Sequence, residues 1–179
     1  NFSYNTTTTL SATATYGYHF VQWSDGNTEN PRTVPVTQNA IYTAIFEINT
    51  YAISVGSSNP AIGSAAGGGT YSYNTIVNIS ATPNYGYHFV QWSDGNTENP
   101  RTITVIQNAT YTAQFSINSY AVSVSPNNSS RGTFSGSGSY TYNTVATISA
   151  SAFYGYHFVQ WSDGNTENPC SLVVMQDEN

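Results

Sequence analysis

Residues 85–100 read YGYHFVQWSDGNTENP, and the same sixteen letters stand unchanged at 16–31 and at 154–169. Because the copies start at residues 16, 85 and 154, the interval is 69 residues both times. Identity of this length at a fixed interval indicates a tandem repeat. Within the copy, the run from Tyr87 to Ser93 predicts an aromatic β-strand, and Asp94-Gly95-Asn96 predicts the turn that reverses the chain.

The flanking segments recur more loosely and set the repeat boundaries. Both GTYSYNTIVNISATPN and PRTITVIQNATYTAQFSIN of the middle copy have counterparts in the other copies. We therefore expect a complete repeat at 51–119. A first repeat at 1–50 lacks its opening strand, and a third at 120–179 lacks its closing strand. Since the chain begins and ends inside repeats, we expect it to be a piece of a longer protein.

The composition excludes several function classes. Charged residues make up 7% of the chain and the net charge is −6, against about 25% charged residues in a typical domain. Lysine is absent and only three arginines are present. Such a chain cannot neutralise a run of phosphates, so nucleic acid is not an expected partner. No apolar run reaches the roughly 20 residues of a membrane span, so membrane insertion is not expected either.

The pattern of the remaining residues predicts an all-β fold. Apolar and polar residues alternate in 51–55, 77–81, 103–105 and 111–115, and no stretch has helical periodicity. Each repeat of about 69 residues should therefore form a small antiparallel sheet or sandwich. The glycine-rich run 63–69 is predicted to be a flexible loop between strands.

Two positions make the strand prediction more specific. Strict alternation places Trp92 on the face opposite Tyr87 and Phe89. Either Trp92 packs against a neighbouring layer, or a bulge around Val90 and Gln91 turns it inward. The bulge is favoured, because three identical exposed tryptophans would form a costly apolar surface. Pro35 has no N–H for a sheet ladder, so its strand and the corresponding strand 101–106 should lie near an edge.

The combined motifs resemble a known family. The pattern G-Y-x-F-x-x-W, then S-D-G, a proline, a Thr/Val strand and Y-T-A-x-F is similar to the divergent internalin-type B-repeat, which occurs in tandem on bacterial secreted and surface-anchored proteins. The resemblance covers 51–119 and the matching parts of the other copies. It implies a non-catalytic extracellular repeat. The family's better-studied members look like a β-grasp with a short helix, which leaves a β-grasp-like α+β repeat as the alternative to an all-β fold.

The turn after the aromatic strand is the first candidate site. Asp94, Asn96 and Glu98 bring oxygen-bearing side chains together, as a calcium site requires. The EF-hand spacing is absent, however, and Asp-Gly-Asn is equally typical of a tight turn. Asp94 and Glu98 also make a poor glycosidase pair, since a repeat of this size has little room for a walled sugar cleft. We expect no enzyme activity and no cofactor.

Aromatic residues provide the second candidate site. Tyr87, His88 and Trp92 could contact a glycan or a host protein, although tyrosine serves equally well in a half-buried sheet. The function predicted from the sequence is a structural and adhesive segment, a stalk or spacer, at the bacterial cell surface. The alternative is a glycan- or host-protein-binding module. Expected partners are neighbouring repeats of the same chain, and edge-strand self-association is a further hypothesis.

Overall fold

The computed structural model describes residues 2–177, and every regular element among them is a β-strand. The α+β alternative is not needed. The described part of the chain contains no helix that could cross a membrane. The first repeat has four strands, which are β1 (Thr6–Leu10), β2 (Tyr18–Trp23), β3 (Arg32–Val36) and β4 (Ala44–Ile48). Antiparallel pairing joins β1 to β3 and β2 to β4.

The middle repeat has seven strands and shows the full set. They are β5 (Thr50–Ser57), β6 (Gly63–Ala66), β7 (Gly69–Ser72), β8 (Ile76–Pro83), β9 (Tyr87–Trp92), β10 (Arg101–Thr104) and β11 (Ala109–Ile117). One sheet has the order β10-β8-β6 and the other β7-β5-β11-β9. Alternate residues of β8 are buried, as the sequence pattern predicts.

The third repeat has five strands and an unpaired aromatic segment. Its strands are β12 (Ser119–Val122), β13 (Gly132–Ser135), β14 (Gly138–Thr141), β15 (Thr144–Ala152) and β16 (Cys170–Val174). They form a sheet β12-β14 and a sheet β13-β15-β16. The core of this repeat contains Cys170, the chain's one cysteine, which is a buried free thiol packed among aliphatic side chains.

The bulge predicted in the aromatic strand is present. Gln91 pairs with Gln114 and Phe89 pairs with Phe115, so Val90 is an extra residue in β9. The extra residue reverses the alternation, and the Trp92 side chain is completely buried. The equivalent shift in β2 leaves Trp23 only 5% exposed. Burial of the indole explains the bulge, because a regular strand would place it in water.

The edge position inferred from Pro35 is also confirmed. In the first repeat Pro35 lies in β3, which pairs only with β1. In the middle repeat β10 is the outer strand of its sheet. An outer strand leaves every second N–H without a ladder partner, and proline is compatible with such a position.

The expectation that 63–69 is a flexible loop is wrong. Residues 63–66 form β6 and residue 69 begins β7, with a tight connection between them. Gly67 has a φ of +105°, and a Cβ there would approach the carbonyl oxygen of Asn78 to 2.5 Å. The glycine is therefore required by close approach of two strands rather than by flexibility.

The chain folds into two compact units. The first comprises Asn1–Gly56, Ala65–Ser80 and Glu98–Thr112. The second comprises Ser57–Ser64, Ala81–Thr97 and Ala113–Asn179. Each unit contains one connection between successive repeats, and the residues of that connection all lie in that unit.

Candidate functional site: the connection between repeats

An asparagine organises each connection between repeats. In the first unit, the N–H of Asn49 donates to the Gly17 carbonyl of its own repeat at 2.8 Å. The Asn49 carbonyl accepts from the N–H of Tyr73, in the next repeat, also at 2.8 Å. Its side-chain Oδ1 lies 2.8 Å from His19 Nδ1, and its Nδ2 donates to the Tyr51 hydroxyl at 3.4 Å. The linker residue is thus hydrogen-bonded to both repeats.

A tyrosine ring fills the space beside this asparagine. Tyr73 lies edge-on to Tyr16 and Tyr18, with centroid distances of 5.5 Å and 6.4 Å. Such pairs contribute about 0.5–1.5 kcal/mol each beyond the area they bury. The Tyr16 hydroxyl also donates to the Ile106 carbonyl at 3.0 Å, so the first repeat reaches a second loop of the middle repeat.

The second unit reproduces this arrangement with the residues 69 positions later. Tyr142 lies edge-on to Tyr85 at 5.5 Å and to Tyr87 at 6.1 Å. The Asn118 N–H donates to Gly86 at 2.8 Å, and the Asn118 carbonyl accepts from the Tyr142 N–H at 2.9 Å. The Tyr85 hydroxyl donates to the Met175 carbonyl at 3.1 Å. Two connections with the same bonds and almost the same distances indicate one defined geometry at each.

The glycine between the two tyrosines makes the close approach feasible. Gly17 and Gly86 have φ values of +89° and +84°, and a Cβ at either would overlap the ring of Tyr73 or Tyr142. Gly155, in the third copy of the same sequence, has a similar φ of +87° and nothing within 4 Å of its Cβ position. In the first two copies the glycine is needed both for the positive φ and for the close packing of a tyrosine ring. In the third copy it is needed only for the positive φ.

Two tyrosines at positions equivalent to the connection rings are exposed. Tyr4, which corresponds to Tyr73, is 79% exposed. Tyr154, which corresponds to Tyr16 and Tyr85, is fully exposed. These tyrosines are therefore sequence-matched controls for the two connections.

The structure places the predicted ligand-contacting residues inside the repeat or at its connection. Trp92 is buried in the core, so a ligand could reach it only if the repeat opened. Tyr87 is half-buried against Tyr142, and the exposed His88 has its Nδ1 2.7 Å from Asn118 Oδ1. The three side chains do not form one surface.

The acidic turn contains hydrogen bonds from backbone N–H groups to side-chain oxygens. Asp94 Oδ1 accepts from the Asn96 N–H at 3.3 Å, and in the third copy Asn165 Oδ1 accepts from the Glu167 N–H at 2.8 Å. These are side-chain–backbone bonds typical of turns. Within residues 2–177, no group of three or more His, Cys, Asp or Glu side chains could hold a metal ion. The turn geometry accounts for the Asp-Gly-Asn sequence, and Asp94, Asn96 and Glu98 remain a calcium hypothesis from the sequence alone.

The turn of the first repeat carries an ion pair. Arg32 Nη1 donates to both carboxylate oxygens of Asp25, at 2.7 Å and 2.8 Å. This hydrogen bond lowers the pKa of Asp25 from its usual value. The Arg32 guanidinium also lies over the Tyr42 ring at 5.0 Å. The third repeat has Cys170 at the position of Arg32, so the pair is not common to all copies.

Sequence reasoning missed the connection residues. Tyr73 and Tyr142 were indistinguishable from other strand tyrosines, because no local pattern identifies the ring that packs on Gly17 or Gly86. One signal was present in the sequence. A glycine stands between two tyrosines in every copy, and a conformationally free residue within an aromatic run indicates a close approach.

Together, the seven-stranded middle repeat and the two equivalent connections define a class of protein, a tandem array of small all-β modules. The family model for the divergent InlB B-repeat domain matches residues 1–50, 53–119 and 120–179. The chain belongs to this family, which is associated with bacterial surface proteins and whose repeat domains are typically non-catalytic. No curated protein and no solved structure matches the chain in the corresponding searches.

Proposed function

We propose that this chain is a non-catalytic structural and adhesive segment, a stalk or spacer, of a bacterial secreted or surface-anchored protein. The observation that carries the proposal is the repeated connection. Asn49 and Asn118 each bond to both of their repeats, and Tyr73 and Tyr142 each pack on two rings of the repeat before. A spacer needs successive modules to be held at a set geometry, and these contacts provide it.

The same contacts argue against the alternative of a glycan- or host-protein-binding module. Trp92 contributes to the core, while Tyr87 and His88 interact with Tyr142 and Asn118. Side chains already used within the chain offer little to a ligand. We therefore propose neighbouring repeats as the main partners, an extracellular location, and a function that depends on copy number.

A surface-display experiment tests the spacer function. The 179-residue chain is inserted zero, one or two times between a bacterial surface anchor and a terminal epitope. The height of the epitope above the cell is then measured by fluorescence interference or by access of a large antibody. We expect the height to rise with each inserted copy.

A matched pair of variants tests whether ring packing makes the connection between repeats rigid. Tyr142→Ala removes a ring from a connection, whereas Tyr4→Ala removes the equivalent ring at a position where it is 79% exposed. The first should lower the mean height or broaden its distribution, and the second should leave both unchanged. A height that does not depend on copy number would contradict the proposal. Saturable binding of the chain to a glycan array would favour the alternative.

A further inference from the structure

The first and last strands of the middle repeat are neighbours. In the sheet β7-β5-β11-β9, β5 begins the repeat, β11 ends it, and both are central strands. Ile53 of β5 is only 3% exposed and Ala113 of β11 is completely buried. The hydrogen bonds that join these two strands therefore lie in the middle of the sheet, with β7 and β9 along its outer edges.

The two central strands run parallel. Near the beginning of both, the N–H of Ala52 donates to Asn108 Oδ1 at 2.8 Å. Directly after β5, the N–H of Ser58 donates to the Ala113 carbonyl at 2.9 Å. As the chain advances from Ala52 to Ser58, the bonded positions on the other strand advance in the same direction. By contrast, β7 is antiparallel to β5 and β9 is antiparallel to β11.

The connections between repeats continue directly into these strands. Asn49 alone separates β4 from β5, and Asn118 alone separates β11 from β12. Tension along the array therefore enters the middle repeat at the first residue of β5 and leaves it at the last residue of β11. Because the two strands are parallel, these points lie at opposite ends of the pair, and the tension pulls one strand lengthwise past the other.

The direction of the tension determines how the hydrogen bonds are loaded. The bonds of a parallel ladder are evenly spaced along the strands, so lengthwise tension is shared among them and several must break together. When two strands are pulled apart at one end, the bonds break one after another. Lengthwise loading therefore requires the larger force.

We propose that a complete repeat is a force-bearing module, in which the central β5–β11 pair resists tension along the array. The inference rests on the proposed spacer function, since a spacer between a cell and an attached terminal domain is pulled at both ends. The first contact of the pair recurs in the third repeat. There Asp177 Oδ1 accepts from the Ala121 N–H at 2.8 Å, with the same separation of 56 residues as Asn108 and Ala52.

Single-molecule force spectroscopy on the full 179-residue chain tests the proposal. Handles are attached through pairs of introduced cysteines in a Cys170→Ala background, which removes the native thiol. The pair Thr50→Cys and Ser119→Cys pulls β5 and β11 lengthwise. The pair Thr50→Cys and Ser72→Cys pulls on directly opposed residues of β5 and β7, so it peels that antiparallel pair from one end.

The two cysteine pairs should give different rupture forces at the same pulling rate. The lengthwise pair should rupture at a force at least ~2-fold higher, because several hydrogen bonds must break together. Rupture of the whole middle repeat is identified by the added length, roughly 3.3–3.6 Å for each residue between the handles.

A matched pair of variants locates the resistance in the β5–β11 pair. Asn108→Ala removes the side-chain bond at the start of the pair. Asn84→Ala removes a bond of the same kind, from Asn84 Nδ2 to the Ala61 carbonyl at 2.9 Å, which lies outside the pair. Forced unfolding depends on the unfolding rate and not on equilibrium stability. Both variants should therefore lose similar stability in urea, while only Asn108→Ala lowers the lengthwise rupture force.

Equal rupture forces for the two cysteine pairs, or the same lengthwise force for the two asparagine variants, would overturn the proposal. The height of a displayed epitope is a separate measurement. A weak β5–β11 pair would leave the spacer function intact, whereas a height independent of copy number would contradict the spacer function whatever the rupture force.

Discussion

Gly86→Ala should destabilise the chain more than Gly155→Ala, although both glycines lie in the same sixteen-residue sequence. Both have a positive φ, +84° and +87°, so an alanine at either position has the same backbone cost of about 1–2 kcal/mol. Only at position 86 does the new Cβ overlap a ring, that of Tyr142. Forcing one extra carbon into a packed site costs about 1–3 kcal/mol. The difference between the two variants should therefore be about 1–3 kcal/mol.

Urea unfolding of the full chain, followed by circular dichroism, measures this difference. Gly86 and Gly155 belong to the same compact unit, so both substitutions act on one part of the chain. The free energies can be compared directly if the two variants have the same m-value. Equal losses of stability at the two positions would refute the reasoning, because they would show that ring packing on Gly86 contributes nothing beyond backbone strain.

Three further outcomes follow from the contacts. Tyr73→Ala deletes two edge-on ring pairs and should cost about 1–3 kcal/mol in urea unfolding, whereas Tyr4→Ala should cost less than about 0.5 kcal/mol because its ring is exposed. Asp25→Asn should destabilise the chain at neutral pH. The difference should vanish as the pH falls through the lowered pKa of Asp25, since the bond to Arg32 requires the carboxylate; urea midpoints at several pH values check this. Trp92→Ala should cost about 3–5 kcal/mol and reduce the near-ultraviolet dichroism, because the indole is fully buried.

The sequence was sufficient for those features of the fold that local chemistry determines. Alternation located β5, β8, β10 and β11, and the cost of an exposed indole predicted the bulge at Val90. The missing N–H of Pro35 predicted an edge strand. In each case one residue type has a strong physical preference that few arrangements satisfy.

Features that depend on distant residues could not be predicted in this way. Residues 87–92 and 156–161 are identical, and only the first segment is a strand. No local rule distinguishes identical sequences, so the difference must come from residues outside the two segments. The packing of Tyr142 on Gly86 has the same origin, since it joins residues from two repeats.

Comparison of the three copies shows which features of the sixteen-residue sequence form in every copy and which form only with contacts from other segments. Its turn has the same hydrogen bond in all three copies. The backbone N–H of the tryptophan (Trp23, Trp92 or Trp161) donates to the carbonyl of the asparagine four residues later at 2.8 Å. Among residues 2–177, its strand forms beside β4 or β11, and its Tyr-Gly-Tyr segment packs against Tyr73 in the first copy and Tyr142 in the second. Strand closure thus occurs within a repeat, and ring packing couples the folding of each repeat to its neighbour. Stability in such arrays is a sum of module and nearest-neighbour terms, and adding a repeat should stabilise the one before it.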